Sequence, residues 1–143
     1  MKKKTVIVAS IVLLLAISLS VPLLSGLRAG EVMPEDISGT YTRETEDESA
    51  DIKITLLPDG KVQVSGMAFW GTQREYGPNI GELDFTSALV NGHLRYSELD
   101  GQDLNYALEL TFTETGLTAK EEGSSDNFGL NVSFAGDYLK TNP

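Results

Sequence analysis

Apolar and polar residues alternate one by one along much of this chain, and no stretch holds a 3.6-residue period over three helical turns. A side-chain period of two belongs to a β-strand with one buried face. Eight strands are predicted on that basis, over Ser38–Glu44, Ala50–Leu57, Lys61–Phe69, Ile80–Val90, His93–Leu99, Leu104–Thr113, Leu117–Glu122 and Leu130–Lys140. In the second, Ile52, Ile54 and Leu56 oppose Asp51, Lys53 and Thr55. In the sixth, Leu104, Tyr106, Leu108, Leu110 and Phe112 share one face. In the last, Leu130, Val132, Phe134, Gly136 and Tyr138 do so.

Short turns join these runs. Pro58-Asp59-Gly60 combines a preset φ with a residue that accepts positive φ. Asn91-Gly92 is the strongest hairpin signal in the chain. The expected fold is therefore all-β: an eight-stranded antiparallel up-and-down meander closing into a small barrel, preceded by an N-terminal signal or anchor helix. A two-sheet sandwich is the other way to bury the same face. Ser38-Gly39-Thr40-Tyr41 near the start echoes Ala135-Gly136-Asp137-Tyr138 near the end. If the first and last strands pair, these glycines let the sheet coil sharply where it closes. Twenty large side chains are expected to face inward, Leu104 and Leu130 among them, which suggests a filled interior.

The alternation begins only after residue 37. Lys2, Lys3 and Lys4 open the chain, and Thr5–Leu24 carries no charge. That pattern reads as an export signal spanning residues 1–29, cleaved after Ala29. The apolar stretch is 20 residues long, enough to cross a bilayer, so an uncleaved anchor is the alternative. In both cases the domain is exported: periplasmic, extracellular or on the outer face of the cytoplasmic membrane. Residues 30–37 form a linker and 38–143 the barrel domain.

Charge changes the picture of partners. The 143 residues carry 21 acidic and 11 basic side chains. Residues 1–29 hold four of the basic ones and no acidic one, so the remainder has a net charge of −14. Nucleic acid and anionic lipid both need a cationic surface, so neither is an expected partner. A protein partner of basic character suits the charge better. The membrane is touched only through the N-terminal segment, if that is retained.

Catalytic and cofactor chemistry find little purchase. Cysteine is absent and His93 is the single histidine, which excludes disulfides, thiolate sites and histidine-pair metal sites. No catalytic residue, metal ligand or cofactor is expected. Glu82 and Asp84 lie two apart and point the same way, but on the outer wall of the expected barrel, where no cleft is foreseen. The acidic tip Glu44, Glu46, Asp47, Glu48 lacks the spacing of a calcium loop. Asn131-Val132-Ser133 has the form of a glycosylation sequon, but it falls inside the last predicted strand.

The most informative segment is the loop Trp70–Asn79. It holds the only tryptophan together with Arg74 and Tyr76, the residue types that dominate binding hot spots. Trp70 could equally plug one end of the barrel. The candidate partner-binding residues are Trp70, Arg74 and Tyr76. A lipocalin-like carrier of a small apolar ligand is the alternative, with Phe85, Tyr96, Phe112 and Phe134 lining its cavity.

The signal, the strand count, the paired Gly-x-Tyr ends, the run Val62–Gly71 and the run Gly129–Tyr138 together resemble small bacterial envelope barrels of lipocalin-like build. Lysozyme-inhibitor-type domains belong to that group. The resemblance implies a barrel and a non-enzymatic binding role. The inhibitors' own contacting motif has no counterpart here, and the cysteines that bridge many such domains are missing.

Overall fold

The computed structural model describes residues 37–142. The signal or anchor at 1–29 and linker residues 30–36 lie outside the described residues. Eight strands follow in order: β1 Gly39–Glu44, β2 Glu48–Leu56, β3 Lys61–Trp70, β4 Asn79–Ala88, β5 His93–Asp100, β6 Asp103–Phe112, β7 Gly116–Gly123 and β8 Gly136–Asn142. All are antiparallel neighbours in one sheet of order β4-β3-β2-β1-β8-β7-β6-β5. Among the described residues no helix is long and apolar enough to cross a membrane.

The period-two pattern explains the core. Along β2, Ala50, Ile52 and Ile54 are buried while Asp51, Lys53 and Thr55 are exposed. Val62, Val64 and Ala68 repeat this on β3, as do Leu83 and Phe85 on β4. Full burial of one such large aliphatic side chain contributes about 2 kcal/mol. A sheet with one apolar face must cover it, and this one curls on itself until its inner face is covered.

Closure runs through the chain ends. Tyr41 of β1 pairs Lys140 of β8 and Thr42 pairs Leu139, with a register shift between Thr40 and Tyr41. The Gly-x-Tyr echo is built twice into this junction. Gly39 has φ +148 and Gly136 φ +139, values that suit glycine. The Tyr41 hydroxyl donates to the Ile37 carbonyl at 2.7 Å, and that of Tyr138 to the Phe134 carbonyl at 2.8 Å. In each case the carbonyl belongs to a fully buried residue four positions back.

The barrel is nearly, not fully, closed. β4 and β5 are consecutive in sequence yet form the two edges of the sheet. Their turn is made as expected, with Asn91 at φ +51 and Gly92 at φ +78. Val90 and His93 exchange both backbone bonds, at 2.9 and 3.0 Å. Beyond that pair no ladder joins the strands. The strongest hairpin signal thus sits at the mouth of an open seam.

Three sequence expectations need correction. The last strand begins at Gly136, not Leu130. Backbone amides of Phe134 and Ala135 donate to the Glu121 carboxylate, at 3.0 and 3.3 Å, so side-chain capture replaces a ladder there. Residues 124–135 instead form a long connection across one end, in which Leu130 is exposed and the Asn131 sequon lies outside any strand. Leu104 is also exposed. It pairs Leu99 at the β5–β6 tip, past a register shift at Glu98/Leu99, where the inner face has run out. Ile37, placed in the linker by its sequence context, is fully buried beneath Tyr41.

Candidate binding surface at the loop end and the seam

The up-and-down order sends four connections to one end of the barrel: residues 45–47, 71–78, 101–102 and 124–135. The β3–β4 loop is anchored by Gly71 and Thr72, whose amides donate to the Asp47 carbonyl at 2.8 and 3.1 Å. Arg74 folds back so that its guanidinium lies 3.9 Å from the centroid of the Trp70 ring. Gly71 at φ +80 makes room for this, because a Cβ there would meet Arg74 Cδ at 2.7 Å. Such a stack contributes about 0.5–1 kcal/mol at an exposed site. Tyr76 stands apart and is 96% exposed. Of the three sequence candidates, the structure joins Trp70 to Arg74 and leaves Tyr76 projecting from the same loop.

Other apolar groups surface at this end. Ile80, Leu99, Leu104 and Leu130 are all exposed large hydrophobics. Glu44, Glu46, Asp47, Glu75, Asp100, Asp103 and Asp126, all exposed, lie in or next to the connections at this same end. Sequence reading missed this convergence, because it needs the strand directions and the exposure of Leu104 and Leu130.

The 124–135 connection is held by two carboxylates. Glu121 accepts from the Tyr106 hydroxyl at 2.6 Å, the Ser133 hydroxyl at 2.5 Å and the two amides described above. Glu98 accepts from the Ser125 hydroxyl at 2.9 and 3.0 Å and from the Tyr96 hydroxyl at 3.1 Å. Burial pushes the Tyr106 hydroxyl far above its ordinary range, and the Glu121 carboxylate adds to the effect. Arg43 braces the connection from β1, donating to Ser133 O at 2.9 Å and to Glu48 at 2.8 Å. Nothing in the sequence pattern signals this role for Arg43, Glu98 and Glu121.

Three of the four candidate ligand-lining aromatics, Phe85, Tyr96 and Phe134, belong to one connected row of packed rings. Phe85 stacks on Tyr96 at 4.6 Å, and ring contacts continue through Tyr106 and Phe128 to Phe134. Phe112 lies separately, edge-on to Tyr41 at 5.9 Å.

Compared with known proteins, the chain matches no family model, no curated protein and no solved structure.

Elsewhere the wall is less featureless than expected. Glu82 and Asp84 do point outward, but grooves flank them on both sides. One, of about 530 Å³, crosses β1–β4 over Asp51, Ser65 and Met67. The other, of about 550 Å³, follows the seam between β4 and β5. Asp84 is hydrogen-bonded by the Gln63 amide. His93 is half exposed, and its Nδ1 lies 3.0 Å from Thr111 Oγ1 and 3.4 Å from Glu109 Oε1. Both contacts use the same ring nitrogen, whereas relay chemistry needs the two nitrogens on different partners. Among the described residues no group of three His, Cys, Asp or Glu side chains is placed to hold a metal ion.

Proposed function

We propose that this protein is an exported, non-enzymatic binding module whose loop end engages a protein partner of basic character. The observation that carries the reading is the pairing of Trp70 with Arg74 beside the fully projecting Tyr76, in a field of exposed carboxylates. Tryptophan, tyrosine and arginine are the residues on which interfaces concentrate their energy. The surrounding negative charge speeds approach of a cationic surface. The lipocalin-like build of small envelope barrels is consistent with this role, and a lysozyme is one basic protein of the right kind. The filled aromatic interior favours this reading over a carrier role, since Phe85, Tyr96 and Phe134 occupy space that a ligand would need.

A photo-crosslinking residue at position 76, introduced in the exporting cell, tests the proposal. A discrete protein adduct is expected at 76 and not at Thr55 on the opposite part of the wall. Trp70→Ala should then weaken affinity for that partner by about 30-fold, the effect of a 2 kcal/mol hot spot. Absence of an adduct, together with a bound small molecule in the native mass spectrum, would favour the carrier role instead.

A further inference from the structure

The geometry points to the β4–β5 seam as a site for strand addition by an extended basic peptide segment. This goes beyond the loop-end proposal and does not depend on Trp70, Arg74 or Tyr76.

The seam offers backbone first. The β3–β4 ladder runs without a shift from Lys61↔Ala88 to Trp70↔Asn79. In an antiparallel ladder alternate residues turn their N–H and C=O to opposite sides of the strand. The Ile80 carbonyl faces away from β3, because it accepts from Gly129 N at 2.9 Å. Val90, of the same parity, exchanges its bonds with His93. Glu82, Asp84 and Thr86 lie between these two points on the same side, and β5 supplies them with no ladder. Among the described residues the seam is crossed there by the Phe85–Tyr96 stack on the inner face and by a hydrogen bond from Ser87 Oγ to the Arg95 carbonyl at 2.9 Å. An unpaired edge of this kind is a template for another strand.

The walls then select the occupant. The groove along this edge has a volume of about 550 Å³, with Ile80, Leu83 and Tyr96 as apolar lining and Glu82, Asp84 and Glu98 as charged lining. Among the described residues none of these three carboxylates pairs with a lysine or arginine. The nearby Arg95 is turned to Glu109 and Glu122, at 3.8 and 3.9 Å, on the far side of β5. Edges are normally blunted by lysine or proline. Here carboxylates guard the edge. They repel a second copy of the same edge and attract a strand with cationic side chains at alternate positions. Such a strand laid along β4 would place its outward lysines or arginines beside Glu82 and Asp84.

The test is fluorescence anisotropy of a labelled Lys-Val-Lys-Val-Lys-Val peptide with the whole protein, alongside amide hydrogen exchange. Saturable binding is expected, with protection of the Glu82, Asp84 and Thr86 amides. The same peptide N-methylated at alternate residues, which keeps its charge but loses its pairing groups, should bind at least about tenfold more weakly. Glu82→Gln with Asp84→Asn should also weaken binding at least about tenfold, and Trp70→Ala should leave it unchanged. No saturable binding, equal binding of the N-methylated peptide, or unprotected β4 amides would each overturn strand addition. Loss of peptide binding in Trp70→Ala would move the site to the loop end.

Discussion

Glu121→Ala should lower the unfolding free energy by about 3 kcal/mol and release the 124–135 connection. The carboxylate accepts four hydrogen bonds, from Tyr106, Ser133, Phe134 and Ala135. Hydrogen bonds to a charged group contribute about 1.5–3 kcal/mol each. Water can rescue the partly exposed donors of Ser133 and Ala135, so the sum is far below additive. Tyr106 has no such rescue: the residue is 1% exposed, and an orphaned buried hydroxyl costs about 1–3 kcal/mol by itself. Glu121→Gln should cost less, because its carbonyl can still accept from Tyr106 while its amide faces the donors of Ser133 and Ala135. Urea unfolding gives the numbers, as a lower midpoint with an unchanged slope. Hydrogen exchange should show residues 124–135 opening before the strands do. A loss below about 1 kcal/mol would mean that packing of Phe128 and Phe134 holds the connection without the carboxylate.

The second large effect is alkaline unfolding. Burial pushes the hydroxyls of Tyr41 and Tyr138 up to about 12, from an ordinary value of 10.0. Each donates to a buried carbonyl, a bond that a phenolate cannot make. For Tyr138 the neighbouring Arg43 cation works against burial without cancelling it. In the unfolded chain both ionise near pH 10, so the native state binds more protons between pH 10 and 12. Stability is therefore fully present below pH 10 and falls as pH rises, by about 1.4 kcal/mol per pH unit for each tyrosine. Tyr106, raised still further, adds to the same slope. In an ultraviolet titration the tyrosinate signal of these three should rise together with loss of near-ultraviolet circular dichroism. Ionisation of all tyrosines at ordinary pH in a still-folded protein would refute the burial argument.

How much of this the chain announces depends on the range of the interaction. Local alternation placed β1 to β7 within a residue or two, because one buried face imposes a period of two. The Gly-x-Tyr echo foretold that the ends pair, since each half carries its own glycine and its own back-bonding tyrosine. Leu130, Val132 and Phe134 misled because they alternate like a strand. Their backbone groups find other partners: the Leu130 carbonyl accepts from the Asn79 side chain, the Val132 amide donates to the Gly129 carbonyl, and the Phe134 amide donates to Glu121, whose position opposite it only the folded sheet reveals. The same holds for the seam. Asn91-Gly92 specifies a tight turn, but whether two strands stay together beyond a turn is decided by the curvature of the whole sheet. At the loop end, Trp70 and Arg74 were legible as residue types; their 3.9 Å stacking and the exposure of Leu99 and Leu104 were not.

The position of the gap has a bearing on how the chain folds. Every strand pairing except one joins consecutive strands, and the exception, β1 with β8, joins the first to the last. The ring is therefore opened in mid-chain and fastened at its ends. Local hairpins form within microseconds, whereas bringing distant segments together carries the entropy of closing a long loop. The meeting of β1 and β8 is thus the slow, late event, and the two tyrosine-locked corners lie at the place where it happens. Linking the chain ends and cutting at Asn91-Gly92 would turn the same barrel into a meander whose pairings are all local, relieved of that search.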